Sequence, residues 1–319
     1  MSEEIAGPTP AAFGGPQWRP RQGGLRDEIG DLWGSFGSES EWAPLRSVLL
    51  HPPGAEFQVS DPEAALMLER PDLEGARSEH RALVQAYEDE DVEVHYIDPD
   101  RSPPGPFPNL IYVADLLFMT PEGAILARPA GSARAGEERW VQRRLAELGI
   151  PILRAISGSG TFEGADAMWL DPATVLVGPG FRTNREGVRQ VRRVLEDLGV
   201  DTLLAEVPSA SMHLMGQLRI VDRDLAFYRE GRLPDSALAA LEARGFGLHP
   251  FPDPLEMDAR YANNVVTLGP RRILMPDGAP VTRSFYEDHG VECVAVPMHE
   301  IHKGAGSIGC LTGVLRRGG

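Results

Sequence analysis

Short apolar runs joined by tight polar turns recur along the chain, and each pair of runs is followed by a longer stretch with apolar residues at three-to-four spacing. The clearest pairs are LLFMTPEGAILARP (116–129), AMWLDPATVLVGPG (167–180), LRIVDRDLAFYREG (218–231) and VVTLGPRRILMPDG (265–278), with turns near residues 121, 172, 223 and 269. Runs of four to six apolar residues bounded by Pro, Gly or Asp predict β-hairpins, because those residues fix or permit the backbone angles of a turn. The stretches 136–148, 184–198, 235–244 and 280–289 predict amphipathic helices, and each runs into a further short strand: IPILRAI, VDTLLAEV, GFGLHPF and VECVAVPM. A fifth unit assembles from the early strand SVLLHPPG, a helix within 62–89, the strand VEVHYI and, beside them, the late strand CLTGVL.

Modules of this size cannot bury both faces of a hairpin alone, so they are expected to pack around a common axis. The predicted fold class is α/β: a five-bladed propeller of ββαβ modules with pseudo-fivefold symmetry. A doubly wound parallel sheet is disfavoured, since parallel neighbours need long crossovers and these turns are short. The Pro- and Gly-rich start predicts a flexible arm over 1–40, followed by a single catalytic domain over 41–319.

Composition narrows the function. No apolar run reaches the roughly 20 residues a bilayer span needs, and the first residues have neither the basic flank nor the apolar centre of a secretory signal. A cytoplasmic location is therefore expected. The net charge of −16 argues against a nucleic-acid partner and suits a cationic small molecule. Two cysteines, Cys293 and Cys310, are too few for a disulfide framework, which leaves a thiol free for chemistry. Cys293 lies inside the apolar strand VECVAV and reads as core.

Polar residues interrupt the pattern just ahead of the hairpin cores: Asn109 and Asp115, Glu163 and Asp166, His213, Asn263 and Asn264, and Cys310. In a propeller these positions converge on the axis. A Cys, a His and carboxylates in one partly dry cavity supply a nucleophile, a general acid/base and a cation clamp. Two carboxylates can hold the N–H fork of a guanidinium, and thiolate attack on its carbon would give a covalent thiouronium that His resolves with water. That chemistry needs neither metal nor cofactor. Two decoys are set aside. The stretch 304–309 spells G-x-G-x-x-G but leaves no room for the helix and strand that a dinucleotide site requires. The cluster His299, Glu300, His302 and Cys310 matches no standard zinc spacing.

The stretches PNLIYVADLLF, GTFEGAD, RTNREG, MHL and KGAGSIGCLTG, in this order, resemble the guanidine-modifying superfamily, nearest to the dimethylarginine dimethylaminohydrolases, over residues 42–315. The resemblance implies the same propeller, Cys310 as nucleophile, His213 as general acid/base, Glu163 as its orienting partner or a guanidinium contact, and Asp115 as a guanidinium clamp. Arg182 and, by distance along the chain, Arg134 would hold the substrate's α-carboxylate. Asn109 and Asp166 complete the expected substrate-binding set. Two departures bear on outcome. Asn109 stands where those hydrolases carry a carboxylate, and some arginine dihydrolases of the superfamily resemble this chain in using Asn there. Leu214 and Met215 follow His213, where deiminases and amidinotransferases tend to place an Asp two residues on. The expected activity is hydrolysis of arginine or an N-substituted arginine, with transfer of the amidino group to an acceptor amine, or double hydrolysis to ornithine, as alternatives. The expected partner is a small cationic guanidino compound, with a homo-oligomer possible.

Overall fold

The computed structural model describes residues 9–98, 107–208 and 211–318. Five three-stranded sheets follow one another. The first module holds β1 (Leu45–Leu50), α1 (Leu73–Glu88) and β2 (Glu93–Tyr96). The second holds β3 (Leu117–Thr120), β4 (Gly123–Leu126), α2 (Glu138–Glu147) and β5 (Ile152–Ala155). The third holds β6 (Ala167–Asp171), β7 (Thr174–Val177), α3 (Arg185–Asp197) and β8 (Asp201–Leu204). The fourth holds β9 (Leu218–Asp222), β10 (Leu225–Tyr228), α4 (Asp235–Glu242) and β11 (Gly247–Pro250). After α5 (Pro254–Arg260), the fifth holds β12 (Val266–Gly269), β13 (Arg272–Pro276), α6 (Pro280–Asp288) and β14 (Glu292–Val296). The one-turn helices α7 (His299–His302) and α8 (Ile308–Leu311) lead to β15 (Gly313–Arg317), which pairs antiparallel with β1 and completes the first sheet.

In the second to fifth modules the first two strands form a tight antiparallel hairpin, and the third lies parallel to the second after a helical crossover, the length a parallel connection demands; in the first, β15 takes the place of the hairpin partner on β1, and β2 lies parallel to β1. Consecutive modules touch at their inner ends, and β1 meets β12, so the ring closes. The five-bladed α/β propeller read from the hydrophobic pattern is the architecture observed.

Why the ring is stable follows from strand alternation. Successive side chains of a strand face opposite ways, and here both faces are buried between neighbouring modules. In β3, Leu117 and Met119 enter the cluster shared with the first module, while Phe118 enters the cluster shared with the third. In β6, Trp169 joins Phe118, and Met168 and Leu170 turn to the fourth module. The core is therefore five wedges of hydrocarbon around an axis, rather than one central mass. Cys293 lies in one such wedge, where burial pushes its thiol up to about 12.

Three local features differ from expectation. The helix expected within 62–89 begins only at Leu73, because Pro71 disfavours helix before it and the Asp72 side chain caps the first turn by accepting from Gly75 N at 2.7 Å. Cys310 belongs to α8 rather than to the late strand, which starts three residues later. Residues 29–40, assigned from composition to the flexible arm, are tied to the body: Gly34 N donates to Gly149 O, Gly37 N donates to Leu315 O, and Arg317 N donates to Gly37 O, each at 2.9 Å. Residues 1–8 of that arm lie outside the described residues.

Candidate active site

Four of the five modules place a single helical turn just ahead of the inner strand, and these turns or the residues beside them carry the polar groups; in the fifth, the segment between α5 and β12 does so. Asp115 is in the turn Val113–Leu116, Glu163 immediately precedes the turn Gly164–Asp166, and His213 immediately precedes Leu214–Gly216. Asn264 stands two residues before β12, and Cys310 is in α8. These lead-in segments, not the strands themselves, bring the side chains to the axis, where all five are buried.

Glu163 and His213 are in direct contact, His213 Nε2 to Glu163 Oε2 at 2.6 Å, while His213 Nδ1 lies 3.7 Å from Asp115 Oδ1. Burial opposes charge on the imidazole, but Asp115, Asp166 and Glu163 outweigh it and raise its pKa to about 9. Burial also opposes the Glu163 carboxylate, yet His213, Arg134 and Arg182 bring it down to about 2. The pair is a carboxylate and an imidazolium at neutral pH.

Arg134 is 3% exposed and almost fully engaged. Its Nη1 donates to Asp115 Oδ2 at 2.5 Å and its Nε to Glu137 Oε2 at 2.9 Å, and its Nη2 donates to the carbonyls of Asn109 and Tyr112, both at 3.3 Å. A guanidinium so committed holds Asp115 in place and has no fork left for a substrate carboxylate, contrary to the reading from motif distance. Asp115 Oδ1, by contrast, has no hydrogen-bond partner among the described residues. Arg182 reaches Glu163 only loosely, at 3.3 and 3.4 Å, and lines the cavity with Asp115 and Cys310.

The nucleophile candidate is held by Asn264, whose Nδ2 donates to Cys310 Sγ at 3.0 Å and whose Oδ1 accepts from Cys310 N at 3.2 Å. Burial and then the Asp115 carboxylate raise the thiol pKa, while the Asn264 and Ser307 hydrogen bonds and Arg219 oppose the rise. Two cavities meet at Cys310, Met212 and Ala305. One holds Asn109, Asp115, Arg134 and Arg182; the other holds His213, Gln217 and Asn264.

Two expected ligand contacts have other duties. Asp166 accepts from Thr183 Oγ1 at 2.6 Å and Leu214 N at 3.0 Å, which fixes the backbone beside His213, and it lines neither cavity. Asn109 donates to Ala65 O at 2.7 Å and so anchors the segment carrying Leu66, whose side chain lines the first cavity. Asp115, Glu163 and His213 place ligand atoms within 4.8 Å of one another. They make an ion-pair network rather than a coordination shell, because Arg134 takes Asp115 Oδ2 and the imidazolium and Arg182 take Glu163.

Several contributors escaped sequence reasoning. Glu137 supports Arg134 from one turn away; its i,i+3 spacing was the available signal. Arg219 and Gln217 sit in and beside an apolar strand with no motif to flag them. The glycines 304 and 306 serve the protein rather than a ligand: a Cβ at Gly304 would lie 2.0 Å from the Tyr112 hydroxyl, and one at Gly306 would lie 2.2 Å from the Tyr112 ring.

A ring of five modules with a thiol, an imidazolium–carboxylate pair and a supported Asp converging on its axis defines a propeller built to meet a compact cation. The arginine deiminase family model matches residues 105–237 and 256–317, which is more than half of the chain. The chain belongs to the arginine deiminase family. It is 30% identical over 209 residues to the N(G),N(G)-dimethylarginine dimethylaminohydrolase of Streptomyces coelicolor, covering 66% of this chain and 75% of that protein. It is 26% identical over 247 residues to the enzyme of the same name from Pseudomonas aeruginosa, covering 77% and 90%. The structure of that Pseudomonas enzyme with citrulline superposes with a TM-score of 0.70 at 24% identity, over 84% of this chain and 98% of that one. An amidinotransferase of saxitoxin biosynthesis from Microseira wollei superposes with a TM-score of 0.73 at 17% identity, over 89% and 98%; these structural likenesses concern the fold.

Proposed function

We propose that the chain is a hydrolase of C–N bonds in linear amidines, acting on the guanidinium of arginine or an N-methylated arginine through the Cys310 thiolate. The observation that carries the reading is Asp115 Oδ1: a buried carboxylate oxygen in the cavity that Cys310 lines, its group braced from behind by Arg134, with no hydrogen-bond partner among the described residues and only the longer 3.7 Å ion-pair contact to His213 Nδ1. An unpaired buried acceptor costs stability unless a ligand donor reaches it, and a guanidinium N–H is such a donor. The names of the curated relatives support the same substrate class.

Arg182 receives the substrate's α-carboxylate and, in turning to it, loosens its hold on Glu163. Binding a cation beside Cys310 offsets the burial and Asp115 effects that keep the thiol protonated. The thiolate then attacks the guanidinium carbon, the bond to the departing nitrogen breaks, and the imidazolium of His213 gives that nitrogen its proton. Neutral His213 next takes a proton from water, hydroxide adds to the thiouronium carbon, and the C–S bond breaks to leave a ureido product and the thiol. Glu163 stabilises the imidazolium at both stages. Both cysteines are unpaired, which suits a reducing cytoplasmic setting, and among the described residues no helix is long and apolar enough to cross a membrane.

The test is a panel of arginine, monomethylarginine and dimethylarginine with mass-spectrometric identification of products. Citrulline with release of amine or ammonia is expected, and loss of turnover in Cys310→Ser. Full turnover in that variant, or no turnover of any guanidino compound by the native chain, overturns the reading.

A further inference from the structure

The cavity on the His213 side of Cys310 is much the larger of the two that meet there, and neither Asp115 nor Arg182, the residues assigned to the two charged ends of arginine, lines it. His213 lines this cavity and not the one that holds Arg182 and Asp115. The group that protonates the departing nitrogen therefore faces the larger space, and whatever fills that space is attached to the departing nitrogen.

Its lining is polar and partly unsatisfied. Gln217 is buried; its Nε2 donates to His213 O at 3.3 Å, which fixes the amide orientation, and its Oε1 has no hydrogen-bond partner among the described residues. Arg232 lines the same cavity, half-buried, with no side-chain partner among the described residues. Tyr261 and Asn263 stand in the same wall, as do Arg229 and Asp258, which neutralise each other in an ion pair at 2.6 Å and leave Arg232 as the lining cation without a counter-charge among the described residues. Two methyl groups would leave both the Gln217 acceptor and the Arg232 cation unanswered, and polar groups left unpaired against a ligand discriminate against it. A short chain that ends in a carboxylate answers Arg232.

We propose that this cavity is a leaving-group subsite for guanidino compounds whose departing nitrogen carries a short carboxylate-bearing chain, released as an amino acid. The inference rests on the hydrolase reading above and specifies its substrate class. Thiolate attack breaks the bond from the guanidinium carbon to the substituted nitrogen, His213 supplies the proton, and water then releases citrulline. For N-carboxymethylarginine the amine released is glycine.

The test compares kcat/KM for N-carboxymethylarginine with that for asymmetric dimethylarginine, scored by glycine and dimethylamine release. A ratio of about ten or more is expected from one added ion pair in a partly dry site. Arg232→Ala should lower that ratio about tenfold, and Arg232→Glu should reverse it. A native ratio at or below one, or a ratio that neither variant moves, overturns the subsite. If the native chain hydrolyses no guanidino compound and chloroacetamidine leaves Cys310 unlabelled, it is the hydrolase reading that fails. Calorimetric binding of the same two compounds to Cys310→Ala then reads the subsite directly: a tenfold preference for the carboxymethyl compound, removed by adding Arg232→Ala, supports it, and equal binding sinks it.

Discussion

Asn264 clasps Cys310 from both ends, donating to its sulfur at 3.0 Å and accepting from its backbone N–H at 3.2 Å. The sulfur is thereby aimed and its anion stabilised by one side chain from the neighbouring module.

Replacing Asn264 by Ala removes the donor to the thiolate and frees the rotation of Cys310. The thiol pKa should rise further, and kcat should fall about 10- to 100-fold, the scale seen when one oriented donor is lost from a charged site. The rate of Cys310 alkylation as a function of pH, read by intact mass, separates this from general unfolding.

The Glu163–His213 pair has opposite pKa shifts, to about 2 and about 9. Glu163→Gln removes one of the three carboxylates holding the imidazolium, so the high-pH limb of kcat/KM, governed by loss of the His213 proton in the free enzyme, should move down from near 9. An unmoved limb would mean that another group titrates there.

The same pair contributes to stability within a defined window. The His213 contribution is complete below its ordinary value of 6.5 and disappears as pH rises through about 9; the Glu163 contribution is complete above 4.5 and disappears as pH falls through about 2. The difference in unfolding free energy between the native chain and Glu163→Gln, from urea titrations, should therefore be largest between pH 4.5 and 6.5 and shrink on both sides.

Arg134 is the cation on which Asp115, Glu137 and Glu163 converge. Arg134→Met strands buried carboxylates, a loss of about 3–5 kcal/mol by analogy with broken buried pairs. Denaturant midpoints should show it, and the deficit should lessen in acid, where Glu137, already raised by burial to about 7, is protonated. If Arg134 instead gripped the substrate carboxylate, the main effect would be on KM with stability little changed.

Most of the ring was legible in the sequence because its hairpins are local: turns at 121–122, 172–173, 223–224 and 270–271 are marked by Pro, Asp and Gly in or beside them, and LFMT and AMWLD read as nearly unbroken apolar runs because both faces are buried. The axial positions of Asp115, Glu163, His213 and Cys310 followed from the repeat of those hairpins. Pairings among charges did not. Motif spacing cannot distinguish Arg182, which leans on Glu163 at the edge of a cavity, from Arg134, locked by four contacts, nor can it show that Asp166 is spent on Thr183 and Leu214. Docking of residues 29–40 was hidden for the same reason, since composition describes a segment and not its partners.

The strand that seals the circle, β15 on β1, begins three residues after Cys310. The sulfur is thus bolted to the last seam of the ring, and any opening of that seam draws it off the axis and away from the imidazolium. An opened chain would be chemically silent toward a guanidinium while its thiol is freshly exposed to ordinary alkylating agents, so the ratio of cation-directed to neutral labelling gauges whether the circle is shut.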